Sequence, residues 1–494
     1  MTTSEPLKKK PETLTRQASR GALWSLTSNI TVSAISFVGT AVLARMLEPK
    51  DFGLIGMATV VTGFVTLFGN FGLGAALVQK KDVTHEDLST AFWANCAAGL
   101  LLAVVCILVS PLAALFFREN AVQWVLICLA FNFVLSALPS VHSTLIYKRI
   151  QMKPLAVIEI GSRIIRVVVM LIAAFCGLRF WSIVIGMIVE RIFKVIGFFI
   201  LDPWRPTRVF SKQRFQEMFR FGRNILGGGF VGYFNQSMDL IVTGRMLGAG
   251  LLGFYQMAYN LPNLVKDYIN DSVGAVSFPV FCKVQDDNAR LTRGVFRIMA
   301  FIALASFPVL AGLAFTARDF ILVVYSEKWL PVAVPLQILC FYAALACTNA
   351  VIGPLLNAKG RPDLSLKWGL FRLPATIIAI LLGVHFGGIV GVAWGVLIVQ
   401  VISLAMVYQA FQIIRGDFRE YWNAIYPAAA ACVMMIGALI IINRIPVFHE
   451  LSAWLRLMIE FFIGGAVYTA TIIFGFKETF EEFLNFARSL IKKS

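Results

Sequence analysis

"ARMLEPKDFGLIGMA" occupies Ala44–Ala58, and "GRMLGAGLLGFYQMA" occupies Gly244–Ala258. Without a gap, Arg45, Met46, Leu47, Gly53, Met57 and Ala58 recur as Arg245, Met246, Leu247, Gly253, Met257 and Ala258, six identities in fourteen positions. In each copy the arginine closes one long apolar stretch and the glycine opens the next. What those stretches are decides the fold.

Of the 494 residues, 58% are hydrophobic and 14% charged, with a mean hydropathy of +0.77. Soluble domains carry about 25% charged residues. Apolar runs long enough for a bilayer recur along the whole chain, and a helix needs about 20 such residues to cross. The runs do not alternate as barrel strands would, so the fold class is an all-α polytopic membrane protein. Fourteen spans are expected: 22–46, 52–78, 88–117, 121–147, 155–176, 180–201, 218–246, 251–282, 296–325, 331–358, 364–386, 388–414, 421–443 and 453–476. The first 21 residues are polar, and the first apolar run is long enough to remain as an anchor rather than a cleaved signal.

This divides the chain into an N-terminal tail (1–21), a six-helix lobe (22–201), a basic linker (202–217), a second six-helix lobe (218–414), two extra helices (415–476) and a C-terminal tail (477–494). The formal charge of +17 follows topology. With the N-terminus inside, the cytoplasmic segments hold 29 Lys/Arg, the outer loops 9 and the spans 6. That bias places both termini in the cytoplasm and removes the reason to expect a nucleic-acid partner. The eight cysteines all sit in or at the ends of spans and form no CxxC pair, so they read as small packing residues.

An even number of spans separates the two repeat copies, so they share one orientation. This is a parallel repeat, with its pseudo-two-fold axis along the membrane normal. Arg45 and Arg245 then end equivalent helices on the outer side. They either snorkel to lipid headgroups or guard the outer mouth of a central cavity.

Several spans carry a polar face. Ser25, Asn29, Ser33, Ser36 and Thr40 share one side of span one. Span seven groups Asn235, Gln236, Asp239 and Thr243. Span eight has Gln256, Asn260, Asn263, Asp267 and Asp271 in a stripe flanked by Tyr255, Tyr259 and Lys266. Polar groups in lipid are expensive, so these faces look at protein or water. They are either interhelical hydrogen-bond glue or the wall of a wet cavity, and the ionisable groups of span eight favour the cavity. Asp239, Arg245, Asn260, Asn263, Lys266, Asp267, Asp271, Arg45 and Asn29 are its candidate lining residues. In span five Glu159, Arg163 and Arg166 share a face, and antiparallel span six carries Glu190, Arg191 and Lys194, with Glu190 at the depth of Arg166. Glu159, Arg163, Arg166 and Glu190 form either an ion pair within the lobe or a cationic site for an anionic ligand. Arg372 in span eleven stands alone. The run Gly227–Gly229 would kink span seven, and Gly387, Gly391 and Gly395 form a small-residue packing face.

An enzyme does not fit. The four histidines are scattered, no HExxH motif occurs, and the loops are too short for a catalytic domain. No set of metal ligands stands out. Two parallel lobes with polar facing surfaces suit a transporter that works by alternating access.

"RGALW" (20–24), "LARMLEPKDFGL" (43–54), "FGLGAALVQ" (71–79) and "LLNAKGRPD" (355–363) resemble the Wzx-type polysaccharide flippases of the multidrug/oligosaccharidyl-lipid/polysaccharide exporter superfamily. The resemblance covers essentially the whole chain and is similar in size to rhizobial succinoglycan-type exopolysaccharide transporters. It implies translocation of an undecaprenyl-pyrophosphate-linked oligosaccharide from the cytoplasmic to the periplasmic leaflet of a bacterial inner membrane. Lipid-linked oligosaccharide and membrane lipids are the partners so implied, with a polysaccharide polymerase and a chain-length regulator beside them. No cofactor is expected beyond a coupling ion, H⁺ or Na⁺. A pyrophosphate would be met by Lys266, Arg245 and Arg45, and sugar by the amides, acids and rings of spans seven and eight. One departure stands out: the superfamily's lipid II flippases are similar in carrying cations deep in spans one, two and eight. Here spans one and two have none before Arg45, and span eight holds more acid than base. The alternatives are a drug or cation exporter of the same superfamily and, further off, a membrane-embedded polysaccharide polymerase.

Overall fold

The computed structural model describes residues 14–69, 73–80, 82–149, 151–482 and 484, without the side chains of 14–20, 22, 26, 73, 75, 221–228, 271, 272, 275, 276, 447 and 449. Residues 1–13 and 485–494 of the expected tails lie outside it, as does the side chain of Asp271. Every described element is a helix or a short 3₁₀ turn.

The N-terminal half begins with α1 (Leu14–Met46), α2 (Pro49–Leu67), α3 (Leu73–Gln79) and α4 (His85–Phe117). It continues through α5 (Asn120–Ala137), α6 (Ser140–Lys148), α7 (Met152–Phe175) and α8 (Trp181–Leu201). Local chemistry sets the boundaries. Pro49 occupies the first turn of α2, and the Glu48 N–H donates to Asp51 Oδ2 at 3.0 Å. Thr84 and Asp87 form the same reciprocal cap at the start of α4, where the Asp87 N–H donates to Thr84 Oγ1 at 3.2 Å.

The C-terminal half opens with α9 (Lys212–Lys283), then α10 (Asn288–Phe315), α11 (Ala317–Val324), α12 (Ala333–Thr348) and α13 (Ile352–Ala358). It ends with α14 (Pro362–Ile402), α15 (Leu404–Ile413), α16 (Phe418–Asn443), α17 (Pro446–Glu450) and α18 (Ala453–Gly475). Two of these are pairs of spans joined by a sharp bend. α9 breaks at Gly248 (φ 79°), and α14 breaks at Gly387 and Gly388 (φ 54° at the latter). Positive φ costs glycine nothing. The bend of α9 thus falls at the second repeat copy, not at the Gly227–Gly229 run, through which the backbone stays helical. Of the expected packing face, Gly391 and Gly395 do pack, a Cβ on Gly391 lying 1.9 Å from the Gly383 carbonyl oxygen and one on Gly395 2.7 Å from that of Ala379, whereas Gly387 forms the bend itself and a Cβ there would meet nothing within 4 Å.

Nine helical segments among the described residues are long and apolar enough to cross a bilayer, one of them the bent 52-residue run Pro362–Ile413. The expected spans that fail this measure are α7, α8 and the two limbs of α9. Those helices carry most of the charged residues of the span interiors, whereas α1, whose polar face is uncharged, passes.

Ion pairs and hydrogen bonds gather the loops at two opposite ends. At the predicted outer end Lys50 pairs with Glu119 (3.2 Å) and Arg456 with Asp319 (2.8 Å). At the predicted cytoplasmic end Lys80 pairs with Asp87 (2.9 Å) and Arg149 with Asp202 (3.3 Å), and Ser89 meets Thr207 of the linker (2.9 Å). One buried core joins α2, α4, α5, α7 and α8, centred on Met57, Cys106, Val125 and Leu126. A larger one runs from the second limb of α9 through α16, centred on Tyr255, Met299, Trp329 and Leu339. A further cluster docks α18 on α16 through Met435, Leu439, Tyr468 and Ile472. The eight cysteines are free thiols.

Candidate functional site

The two repeat copies meet each other. A Cβ built on Gly53 would lie 1.8 Å from the carbonyl oxygen of Ala249, and one on Gly253 would lie 1.8 Å from that of Pro49. The starts of α2 and of the second limb of α9 thus cross backbone to backbone about a local two-fold. Only glycine admits that approach. Neighbouring residues extend the reciprocity. Ala44 is buried in the core of the C-terminal half, while Ala249 and Leu252 are buried in that of the N-terminal half.

Arg45 and Arg245 belong to this seam. Arg45 Nε donates to the Val324 carbonyl at 3.1 Å, and its Nη2 to that of Val323, at the C-terminal end of α11. A cation there also suits the helix dipole. Lys328 Nζ returns the contact to the carbonyls of Arg45 (2.9 Å) and Leu47 (2.7 Å), and Trp329 Nε1 donates to that of Ala44 (2.7 Å). Arg245 lies over the Phe116 ring of α4, 5.6 Å from its centroid. Each arginine, expected at the mouth of a cavity or among headgroups, is engaged with the opposite half at the predicted outer end. Its long side chain gains more from carbonyls or a ring face than from an open channel.

Away from this end the halves present polar faces. In α1 the outer part packs on the C-terminal half, where Phe37 and Phe320 are 6.3 Å apart. Nearer the predicted cytoplasmic end Ser25, Asn29 and Ser33 are exposed. In the second limb of α9, Asn260 is exposed and the Asp267 side chain retains 67% of its accessibility. Asn263 is buried and donates to the Tyr259 carbonyl of its own helix (2.8 Å). Among the described residues no side chain of either face hydrogen-bonds to another helix, although Gln256 packs against Gly56 of α2. α2 and the first limb of α9 meet through Phe64, Phe68, Phe230, Tyr233 and Phe234, with Phe68 and Phe230 5.2 Å apart. An apolar aromatic contact therefore closes one side of the polar region.

Lys266 and Asp239 are turned the other way, into the C-terminal half. Lys266 is 13% exposed, 5.6 Å from the ring centroid of Tyr342 and 6.0 Å from that of Tyr259, with Asp267 3.5 Å away. A cation held over two rings is partly compensated by their faces. Asp239 is 4% exposed. Its Oδ2 accepts from the Tyr255 hydroxyl at 2.8 Å, which ties the two limbs of α9 together across the Gly248 bend, and its Oδ1 accepts from the Leu240 N–H at 2.9 Å. Asp239, Asn235, Tyr259, Tyr342, Arg372 and Thr376 line a small cavity of about 20 Å³. That is room for one water or a small cation. Arg372, which the sequence left without a role, thus belongs with Asp239. Its Nη2 donates to Gln400 at 3.3 Å, while its Nε has no partner.

Glu159, Arg163, Arg166 and Glu190 of spans five and six do come together. Arg166 Nη1 meets Glu190 at 3.1 Å and Arg163 meets the same carboxylate at 3.6 Å. Lys194, on the same helix as Glu190, bridges Glu159 (2.7 Å) and Glu190 (3.3 Å). Its position four residues after Glu190 was the signal available.

An all-helical, multi-pass membrane protein, sealed at one end by its own repeat and polar between its halves below, belongs to the class of bundle carriers. Residues 42–334 match the family described as "Polysaccharide biosynthesis protein", and the chain belongs to that family. It is 27% identical over 409 residues to the lipopolysaccharide biosynthesis protein WzxC of Escherichia coli (strain K12), covering 81% of this chain and 82% of that protein. It is 24% identical over 484 residues to the succinoglycan biosynthesis transport protein ExoT of Rhizobium meliloti (strain 1021), covering 97% of each. Among solved structures it shares its fold with the lipid II flippase MurJ in an inward closed conformation, with a TM-score of 0.71, 14% identity, and coverage of 93% of this chain and 99% of that one.

Proposed function

We propose that this protein flips an undecaprenyl-pyrophosphate-linked oligosaccharide from the cytoplasmic to the periplasmic leaflet of a bacterial inner membrane, for surface or exopolysaccharide synthesis. One observation carries the mechanism: the repeat copies seal the halves at the predicted outer end, while the polar faces of α1 and α9 stay exposed toward the other end. Two lobes, 22–201 and 218–414, hinged through the basic linker 202–217, would part at the glycine seam as they close below. Sugar hydroxyls suit the amides and hydroxyls of Asn29, Asn260 and the α1 serines. The acids add two roles: Asp267 faces the oligosaccharide, and Asp239 holds the coupling ion, H⁺ or Na⁺. Asp239 bridges the limbs of α9, so a change in its occupancy would bear on the angle between them. Both termini are cytoplasmic in this arrangement. The protein works beside a polymerase and a chain-length regulator and performs transport rather than catalysis.

The test is a clean deletion. Exported polymer should fall to background while lipid-linked repeat units accumulate on the cytoplasmic leaflet. Normal polymer together with raised drug sensitivity would refute this reading in favour of a drug exporter.

A further inference from the structure

The charges within the predicted spans are unevenly placed. Of the six basic residues away from the span ends, Arg163, Arg166, Arg191 and Lys194 lie on α7 and α8. The acids among them are Glu159 and Glu190, and both are already committed. Arg166, Arg163 and Lys194 share Glu190, and Lys194 holds Glu159. Arg191 is exposed and has no hydrogen bond or ion pair among the described residues, and the buried Nε of Arg163 has no partner. The group carries two positive charges in excess. Lys194 lies seven residues before the end of α8 at Leu201, about 10 Å below the predicted cytoplasmic surface at 1.5 Å per residue. Unbalanced cations at that depth cost several kcal/mol each unless an anion joins them.

Beside the cluster is a cavity of about 200 Å³, lined by Ser136, Ser140, Ser143, Glu159, Arg191 and Lys194. Pro139 breaks the helix between α5 and α6 there, so the first turn of α6, with its positive dipole end, borders the space. The serine hydroxyls now donate to nearby carbonyls, Ser136 to that of Asn132, Ser140 to that of Ala137 at 2.7 Å and Ser143 to that of Ser140 at 2.9 Å, and Ser140 Oγ accepts from Asn95 Nδ2 at 3.0 Å, so each would have to turn to donate to a ligand. Glu159 is the one acid lining the cavity, and Lys194 neutralises it. A guanidinium fork, an ammonium and three hydroxyls suit a tetrahedral oxyanion, since arginine binds phosphate through two parallel hydrogen bonds. By contrast, the polar faces of α1 and the second limb of α9 expose no basic side chain between Ser25 and Thr40 or between Gln256 and Asp267 except Lys266, which is tucked over its tyrosines.

We infer that this pocket of the N-terminal half, centred on Arg191, binds a lipid-borne phosphate group at the level of the inner leaflet. Building on the flippase reading, its ligand is the pyrophosphate of the lipid-linked substrate, held to one side of the sugar path.

The test uses the full-length protein in detergent, with undecaprenyl pyrophosphate, phosphatidylglycerol and uncharged undecaprenol as probes. Undecaprenyl pyrophosphate should bind, and undecaprenol should not. Arg191→Ala should weaken binding at least 10-fold, Ser136→Ala should weaken it a few-fold, and Arg361→Ala on an exposed loop should leave it unchanged. Arg191 has no protein partner to lose, so its variant will fold, and thermal unfolding checks this. Equal affinity in Arg191→Ala and the parent overturns the site. Displacement of phosphatidylglycerol by undecaprenyl pyrophosphate supports the substrate as ligand, whereas retention of phosphatidylglycerol overturns that assignment in favour of a bulk headgroup. In cells, normal export by Arg191→Ala beside blocked export in the deletion would sink the site and spare the flippase reading. Normal export in the deletion would sink that reading itself.

Discussion

Gly53→Ala is the sharpest probe of the seam. The new Cβ would fall 1.8 Å from the Ala249 carbonyl oxygen, against an ordinary contact of 3.4–4 Å. The two backbones must therefore separate by about 1.5 Å, because the obstacle is a carbonyl and no rotamer change moves it. Overpacking of this kind costs about 1–3 kcal/mol, which lowers the ratio of sealed to open molecules about 5- to 150-fold. A reporter is available at Ala44, which is fully buried in the seam. In a background without the eight native cysteines, Ala44→Cys should react slowly with a membrane-impermeant maleimide added from outside. Adding Gly53→Ala should accelerate that reaction by the same factor. Gly253→Ala, facing Pro49 at the same distance, should act alike, and the double variant should do less than the sum because the contact is already broken. Gly250→Ala is the control, since its Cβ meets nothing within 4 Å. Labelling of Gly53→Ala at the parental rate, or equal acceleration by Gly250→Ala, would refute the reasoning.

Reporters fused at Lys80, Lys283, Lys359 and Ser494 should read cytoplasmic, and those at Lys50, Ser326 and Phe448 periplasmic; fusions at Lys50 and Ser494 on the same side would break the topology. Asp267→Asn and Asp239→Asn should each cut export at least 10-fold at near-normal protein level, and Asp239→Asn alone should abolish dependence on the coupling ion in reconstituted vesicles. Glu190→Gln strands Arg163 and Arg166, so it should cost about 3–5 kcal/mol and show as lower yield and earlier thermal unfolding. Replacing Glu190 and Arg166 together with Leu should recover much of that loss.

The fold class could be read from composition because bilayer-length apolar runs have few other solutions. The internal repeat could be read from six identities, but not what the copies touch. Backbone contact between Gly53 and Ala249 depends on two helices 200 positions apart, and no local period encodes it. The same limit explains the arginines. A chain end-on to lipid and a chain end-on to a helix C-terminus look alike in sequence, and the choice for Arg45 is set by where α11 stops. The pairing of Arg166 with Glu190 was legible because adjacent antiparallel helices fix relative depth. A helical wheel gives direction around one axis only, so it could not show that Lys266, expected to meet a pyrophosphate, turns toward the C-terminal half. It does not show that Tyr342 of α12 would offer a ring on that side. Arg372 stood alone in the sequence because Asp239, which lines the same cavity, lies on a distant helix.

The placement of charge bears on how one path could carry both a sugar and a pyrophosphate. A wall of hydroxyls and amides, as on α1 and α9, exchanges hydrogen bonds with a sugar at little cost in either direction, because each contact replaces one to water. A wall of cations would hold the phosphates tightly and slow their release, since only interactions that differ between states help movement. In this protein the basic residues of the spans are withdrawn from the exposed faces: Lys266 over its tyrosines, Arg372 beside Asp239, and four others around Glu159 and Glu190. Arg191 alone among those four is left exposed and unpaired, at the edge of a cavity wide enough for a headgroup. The separation places charge recognition within one half and leaves the surface between the halves nearly neutral. That surface must break and remake its contacts in every cycle, and the glycine seam that seals it depends on close packing rather than charge. Packing of that kind can be undone by the relative tilt of two rigid bodies without stripping an ion pair of its partner, a loss that would cost several kcal/mol each time.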